Sequence, residues 1–404
     1  MKNNNTLTPN KKNIGIVTTW FDRGASFVSN AYFETLCKDN NVFIYARGND
    51  RTIKIDQRWD KEYVTWGKIP YLDIPTFIIW SDFKQWIEKN DIEIVFFNEQ
   101  HSWDVIIKCQ NLNVLTGAYI DYYTPQTIPF FHLYDFLICN TKRHYSVFKH
   151  HPQCFYIPWG TDCELFRPQD HLKTSGGITF FHSCGMSPYR KGTDILIRAF
   201  KDVKGNAKLI IHSQINFENS EILRLISDNS RIQIIVKTVP PPGLFFLGDV
   251  YVYPTRIEGI GLTILEALSC GLPVITTDNA PMNEFVENGR NGFLIGVEKY
   301  QKRSDGYFWQ ESICEQNLLT ERMQYCVDYP EEINKLKVYA RNHAEQYLSW
   351  EKNSATLSSL IHSSRKIEKS RKILLQAAYY EYHRYPLMVL SALRRKIYAI
   401  RKPI

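Results

Sequence analysis

Short apolar runs of strand length alternate with segments of helical period along most of the chain, and that alternation predicts βαβ units around parallel sheets. IGIVTTW at 14–20 reads as a buried first strand, followed by a helix from about Val28 to Asp39 with Phe33, Leu36 and Cys37 on one face. NVFIYA at 41–46, IEIVFFN at 92–98 and YDFLICN at 134–140 read as later strands. The pattern pauses at WGTDCELFRP (159–168), among Pro158, Pro168 and Gly176-Gly177, and that pause predicts a domain boundary. It resumes with GITFFHSCG at 177–185, a helix over Thr193–Val203, and strands at 208–213, 232–236 and 249–254. A helix Leu262–Ser269, closed by Gly271, then leads into PVITT at 273–277, and from about Glu331 the chain reads as helical. The expected architecture is α/β: two Rossmann-like, doubly wound parallel-sheet domains at 1–165 and 166–345, with a helical C-terminal extension at 346–404.

Composition sharpens this reading. No stretch approaches the 18 or so apolar residues that a membrane span needs. The start, MKNNNTLTPNKKN, is polar and lacks a signal-peptide core, so a cytoplasmic protein is expected. Nine cysteines are scattered singly, with no CxxC and no zinc-ligand spacing, which fits reduced thiols. The net charge of +7 is unevenly spread: residues 365–404 hold 11 Lys/Arg against two Glu, leaving −2 for the rest. A near-neutral body with a basic tail differs from a uniformly basic nucleic-acid binder, so no nucleic acid is expected. In that tail Leu, Ile, Tyr and Met interleave with Lys and Arg. Two pictures stay open: a helix resting on the anionic inner face of a membrane, or one packed back across the N-terminal domain with a solvated basic end.

The stretch richest in chemistry is RIEGIGLTILEALSCGLPVITTD, Arg256–Asp278. It begins where a strand ends, at the carboxyl edge of the sheet, where ligands bind in open α/β folds. Glu258 falls in the turn, and Gly259 and Gly261 let backbone approach a ligand. The helix opening at Gly261, Leu262 and Thr263 presents free N–H groups to a phosphate. Glu266 follows Glu258 after seven intervening residues, and two such carboxylates can accept hydrogen bonds from sugar hydroxyls without any proton transfer. Taken alone, the same spacing suits a surface turn and a solvated helix position equally well.

The segment resembles the donor-binding signature of the retaining glycosyltransferase family 4, approximately EGFGLxxLEAMACGxPVxxxD. Glu258, Gly259, Gly261, Leu262, Leu265, Glu266, Ala267, Cys270, Gly271, Pro273, Val274 and Asp278 all match within 21 residues. WGTDCELFRP is similar to the family's interdomain linker, residues 178–200 to its strand–loop–KG–helix unit, and NEFVENGRNGFLI (283–295) to its closing element. The likeness is strong over about 155–300 and only architectural before that. It implies a GT-B fold, with two domains facing across a cleft and the donor site in the C-terminal half. It also implies transfer with retention from a nucleotide-sugar to a saccharide or glycolipid hydroxyl, the departing phosphate taking the acceptor's proton.

The resemblance assigns Lys191, which precedes Gly192, as a phosphate-binding residue. The family's arginine directly follows the loop glycine, whereas Met186 follows Gly185 here; Arg190 is the candidate substitute. In the N-terminal half, Gly24 matches the glycine-rich loop near the donor phosphates, His101 a histidine facing the sugar, and Asp121 is a weaker cleft candidate. The donor base is expected near Lys237–Val239. No metal or cofactor is expected, since no DxD ends a strand and Lys191, Arg190 and a helix N-terminus can neutralise a diphosphate. The competing readings are a sugar-nucleotide epimerase or phosphorylase on the same scaffold, and a non-catalytic lipid or nucleic-acid binder acting through the tail. A dehydrogenase is disfavoured because the first strand leads into TTWFDRGAS, without GxGxxG.

Overall fold

Seven strands form the first sheet: β1 (Asn13–Thr18), β2 (Asn41–Ala46), β3 (Val64–Trp66), β4 (Ile94–Phe97), β5 (Leu115–Tyr119), β6 (Phe136–Cys139) and β7 (Cys154–Tyr156). They are all parallel and run β3-β2-β1-β4-β5-β6-β7, so the order reverses beside β1. β4 and β6 are buried along their whole length, as a sheet covered on both faces requires. The computed structural model describes residues 11–48, 57–72, 74–169 and 176–401. Most of the polar start and the last three residues of the basic segment lie outside the described residues.

The first helix spans Gly24–Leu36, four residues ahead of the start that apolar period suggests, and its buried face is Ser26, Val28, Ser29, Tyr32 and Leu36. Phe33 and Cys37 are only half-buried. Hydrophobicity alone misses this face because polar groups stitch it to the sheet. The Ser29 hydroxyl donates to Thr18 Oγ1 (2.8 Å), Asn98 Nδ2 donates to Ser29 Oγ (2.7 Å), and Tyr32 donates to Asn140 Oδ1 (2.6 Å).

The second sheet contains β8 (Ile178–Gly185), β9 (Ala207–Ser213), β10 (Ile232–Val236), β11 (Val250–Tyr253), β12 (Val274–Thr277) and β13 (Gly292–Ile295), in the order β10-β9-β8-β11-β12-β13. It too is parallel throughout and reverses at β8/β11. An antiparallel hairpin of β14 (Val297–Gln301) and β15 (Glu311–Cys314) follows, which the strand–helix alternation did not foreshadow.

The chain forms two compact units: 1–140 with 144–157 and 355–404, and 141–143 with 158–354. The pattern of the sequence puts the divisions at 165/166 and 345/346; the contacts draw them at 157/158 and 354/355. The linker is built into the second unit. Trp159 packs on Trp350 with centroids 4.3 Å apart, and Arg341 Nη1 donates to the carbonyls of Cys163 (2.9 Å), Phe166 (3.0 Å) and Ser269 (2.8 Å).

Residues from 355 onward return to the first unit. His362 and Ser358 bond Asn40, and Lys369 forms a buried ion pair with Asp135 at 2.8 Å. The long helix Arg371–Arg401 then lies along this unit. Ala377 and Ala392 are buried, Glu381 accepts from Trp103 N (2.9 Å), and Arg384 donates to the His101 carbonyl (2.8 Å). Among the described residues no helix is long and apolar enough to cross a membrane.

Candidate active site

Within the second unit the polar residues gather at the carboxyl end of β11. The strand ends at Tyr253, and the turn behind it carries Thr255, Arg256 and Glu258 before the helix Leu262–Ser269. Facing them is the loop after β8, which carries Tyr189, Arg190 and Lys191 into the helix Thr193–Asp202. Two glycines make this approach possible. Gly192 has φ +70°, and a Cβ there would meet the Pro254 carbonyl oxygen at 2.0 Å, so the two loops could not close with any other residue. Gly261, at φ +94°, precedes the Leu262 helix without a side-chain cap. At Gly259 an added Cβ would find open space, so close packing by the protein does not explain that glycine.

Glu258 is the hub. Its side chain is 7% exposed, and Oε1 accepts from Lys191 Nζ (2.6 Å), Thr255 Oγ1 (2.8 Å) and Tyr253 OH (2.9 Å). Oε2 faces Arg190 Nη1 more loosely, at 3.7 Å. Lys191 also donates to the Tyr253 hydroxyl and lies 5.0 Å from that ring's centroid. Adjacent residues on a chain usually point apart, but Arg190 and Lys191 converge on one carboxylate.

Burial by itself would raise the Glu258 carboxyl. The charges of Lys191 and Arg190, with hydrogen bonds from Lys191 and Thr255, outweigh it and hold the group down at about 2. Burial pulls the Lys191 ammonium down to about 8 against the opposing pull of Glu258. Glu266, half-buried one helical turn inside the Leu262 helix, is pushed by burial up to about 7, the Lys191 charge opposing. The two matched carboxylates thus sit in opposite electrostatic environments. Thr263 lies beside the buried phenols of Tyr251 and Tyr253, and Leu262 is half-buried.

The supporting groups escaped the reading of the sequence. Arg256, 3% exposed, grips Asp194 with two bonds of 2.8 Å, stacks 3.9 Å from the Tyr189 ring centroid and donates to the Tyr189 carbonyl. Its backbone N–H donates to the Arg190 carbonyl (2.8 Å). The loop presenting Arg190 and Lys191 is therefore clamped by the residue two before Glu258. Arg143 donates to the Glu258 and Ala280 carbonyls from behind. An arginine three places after an apolar strand was the available signal; its partner 62 positions earlier was not.

His101, Asp121 and Gly24 lie in the first unit, at the carboxyl ends of its strands. Gly24 opens the first helix. His101 donates its backbone N–H to Thr76 Oγ1 (3.0 Å), and its ring lies 4.7 Å from that of Tyr122. Burial and the neighbouring Glu99 push Asp121 up to about 8 against Arg47.

The family described as Glycosyl transferases group 1 matches residues 177–304, the stretch that carries this site. The capsular polysaccharide biosynthesis glycosyltransferase CapM of Staphylococcus aureus is 34% identical over 112 residues, which are 26% of this chain and 29% of that protein. A GDP-mannose-dependent monoacylated phosphatidylinositol monomannoside mannosyltransferase of Corynebacterium glutamicum is 26% identical over 250 residues, 55% of this chain and 59% of that one. The chain thus spans less than two thirds of the length of either relative. Among solved structures, the Anabaena protein HepE, in complex with UDP and glucose, superposes with a TM-score of 0.68 at 17% identity, covering 88% of this chain and all of the other. The fold is GT-B, two parallel-sheet Rossmann-like domains with a helical C-terminal region.

Proposed function

We propose that the protein transfers a sugar from a nucleotide-diphosphate donor to a saccharide or glycolipid hydroxyl with retention of configuration, as a member of glycosyltransferase family 4. One observation carries the reading: the buried Lys191–Glu258 pair, with Arg190 beside it, at the carboxyl end of β11 and next to an uncapped helix N-terminus. The relatives point the same way, one named for GDP-mannose and one structure holding UDP and glucose.

An ammonium has three donors, and Lys191 directs two of them to Glu258 and Tyr253, which leaves one for a phosphate oxygen. A diphosphate there also gains the Arg190 guanidinium and the N–H groups at Leu262. Charge that develops as the glycosidic bond breaks then meets fixed cations in a partly dry site. Glu258 is held too acidic to exchange protons near neutrality. Its Oε1 is saturated by three donors, so Oε2 is the atom left to accept a sugar hydroxyl. Glu266, ionising near neutrality, is suited to accept hydroxyls of the nucleotide. His101 is assigned to the sugar and Gly24 to the donor phosphates by the family likeness. The charge-neutralising groups are protein-borne, and the reaction is proposed to need no metal.

The test is a melting-curve screen with UDP, GDP and ADP. A nucleotide at 100 times its dissociation constant adds about 2.7 kcal/mol. Release of nucleoside diphosphate from the matching sugar donor should require an acceptor, and the product's anomeric configuration should match the donor's. Free nucleotide without an acceptor, or an inverted product, refutes the reading.

A further inference from the structure

The helix Arg371–Arg401 has a docked face and a bare one. The docked face runs through Ala377, Tyr380, Glu381, Arg384 and Ala392 against the first unit, with Tyr380 5.4 Å from Phe130 between centroids. The opposite face carries Leu375, Tyr379, Tyr382, Pro386, Leu390 and Leu393, spaced by three or four residues and all exposed. Tyr379 is 68% and Tyr382 75% exposed, and Leu387 beside them 67%. Such a stripe, 18 helical steps from Leu375 to Leu393, is about 27 Å long. A row of large apolar side chains facing water along a helix already anchored on its other side is costly unless something covers it.

Charge decides what covers it. Lys and Arg stand at both ends of the stripe, with Arg371 and Lys372 exposed before it and Arg394 after it. From Arg371 to Arg394 the one carboxylate is Glu381, which is turned inward onto Trp103 N. A second copy of the same helix, laid parallel or antiparallel, would set basic ends against basic ends with no carboxylate to neutralise them. A nucleic acid would leave the leucines uncovered. An anionic lipid surface satisfies both features: acyl chains take the leucines, tyrosines sit at headgroup depth, and the flanking cations meet the phosphates.

We propose that this helix is a membrane-docking surface, which lays the first unit on an anionic bilayer with the Leu375–Leu393 stripe buried at the interface. The two pictures of the tail open from sequence are therefore two faces of one helix. The inference concerns adsorption and is independent of the transfer reading, because it is measured without donor or acceptor.

The test uses the full chain with vesicles of phosphatidylcholine alone or mixed with phosphatidylglycerol, in low and high salt. The protein should sediment with the mixed vesicles at low salt and lose about tenfold in affinity at high salt. Leu375→Asn/Tyr382→Asn/Leu390→Asn, all exposed, should lose at least about tenfold in binding while keeping the wild-type melting temperature. Lys372→Glu/Arg394→Glu, which alters no apolar contact, should do the same on anionic vesicles and serves if the triple variant does not fold. Three results overturn the proposal: no binding by the wild type at low salt, unchanged binding by the charge-reversed variant, or a wild-type dimer in light scattering that the triple variant converts to monomer.

Discussion

Removing the Lys191 ammonium is the sharpest perturbation available, because it acts on stability and on chemistry through different atoms. In Lys191→Ala, Glu258 keeps its hydrogen bonds from Tyr253 and Thr255 and the looser Arg190, but loses the cation 2.6 Å from Oε1. Breaking one side of a buried pair costs roughly 3–5 kcal/mol, and the two surviving hydrogen bonds argue for the low end. At about 2–4 °C per kcal/mol for a unit of this size, the melting temperature should fall by about 6–12 °C. The acid side shifts too. Glu258 is depressed from its ordinary 4.5 to about 2, so its stabilisation is complete above pH 4.5 and is lost as pH falls toward 2. Without Lys191 the folded value moves back up toward 4.5, so this acid-side loss should shrink, its onset staying near pH 4.5. Turnover should drop by two to three orders of magnitude, about 2.7–4 kcal/mol for one preorganised electrostatic contact. The control is Lys191→Ala/Glu258→Gln: with no buried charge left to strand, it should recover most of the melting temperature and none of the activity. The assays are calorimetry from pH 2 to 8 and steady-state release of nucleoside diphosphate. Turnover within tenfold of wild type, or a double variant no more stable than the single, would refute the reasoning.

Three further outcomes follow from the same geometry. Glu266 has its folded value raised from 4.5 to about 7, so its contribution to stability is present below pH 4.5 and is lost as pH rises through 7; Glu266→Gln should therefore melt higher than wild type near pH 8, not near pH 4, while binding donor more weakly. Because Lys191 titrates at about 8 in the free protein, kcat/KM should fall above that pH, and Lys191→Arg should lose the inflection whatever activity it keeps. Transfer should persist in EDTA, since Lys191, Arg190 and the Leu262 helix carry the neutralising charge; loss restored by magnesium or manganese would show a missing metal.

What the sequence determined by itself is what local physics encodes. Apolar runs marked β2 and β10 to the residue, and the helix Leu262–Ser269 was legible from its period and its terminal Gly271. Glu258, Glu266 and Lys191 could be named as candidates because their motifs lie within short stretches of chain. Only the tertiary structure decided the rest, because it depends on partners far apart in sequence. Arg190 proved to converge with Lys191 because Gly192 lets its loop close on Pro254 and Arg256 clamps it through Asp194. The face of the first helix was set by Thr18, Asn98 and Asn140, polar groups that no hydrophobic period reports. The linker went to the second unit because Trp159 finds Trp350 nearly two hundred residues later. The amphipathic period of the tail left two pictures open, and the face that packs on the first unit is set by Trp103 and His101, which sequence spacing does not bring near it.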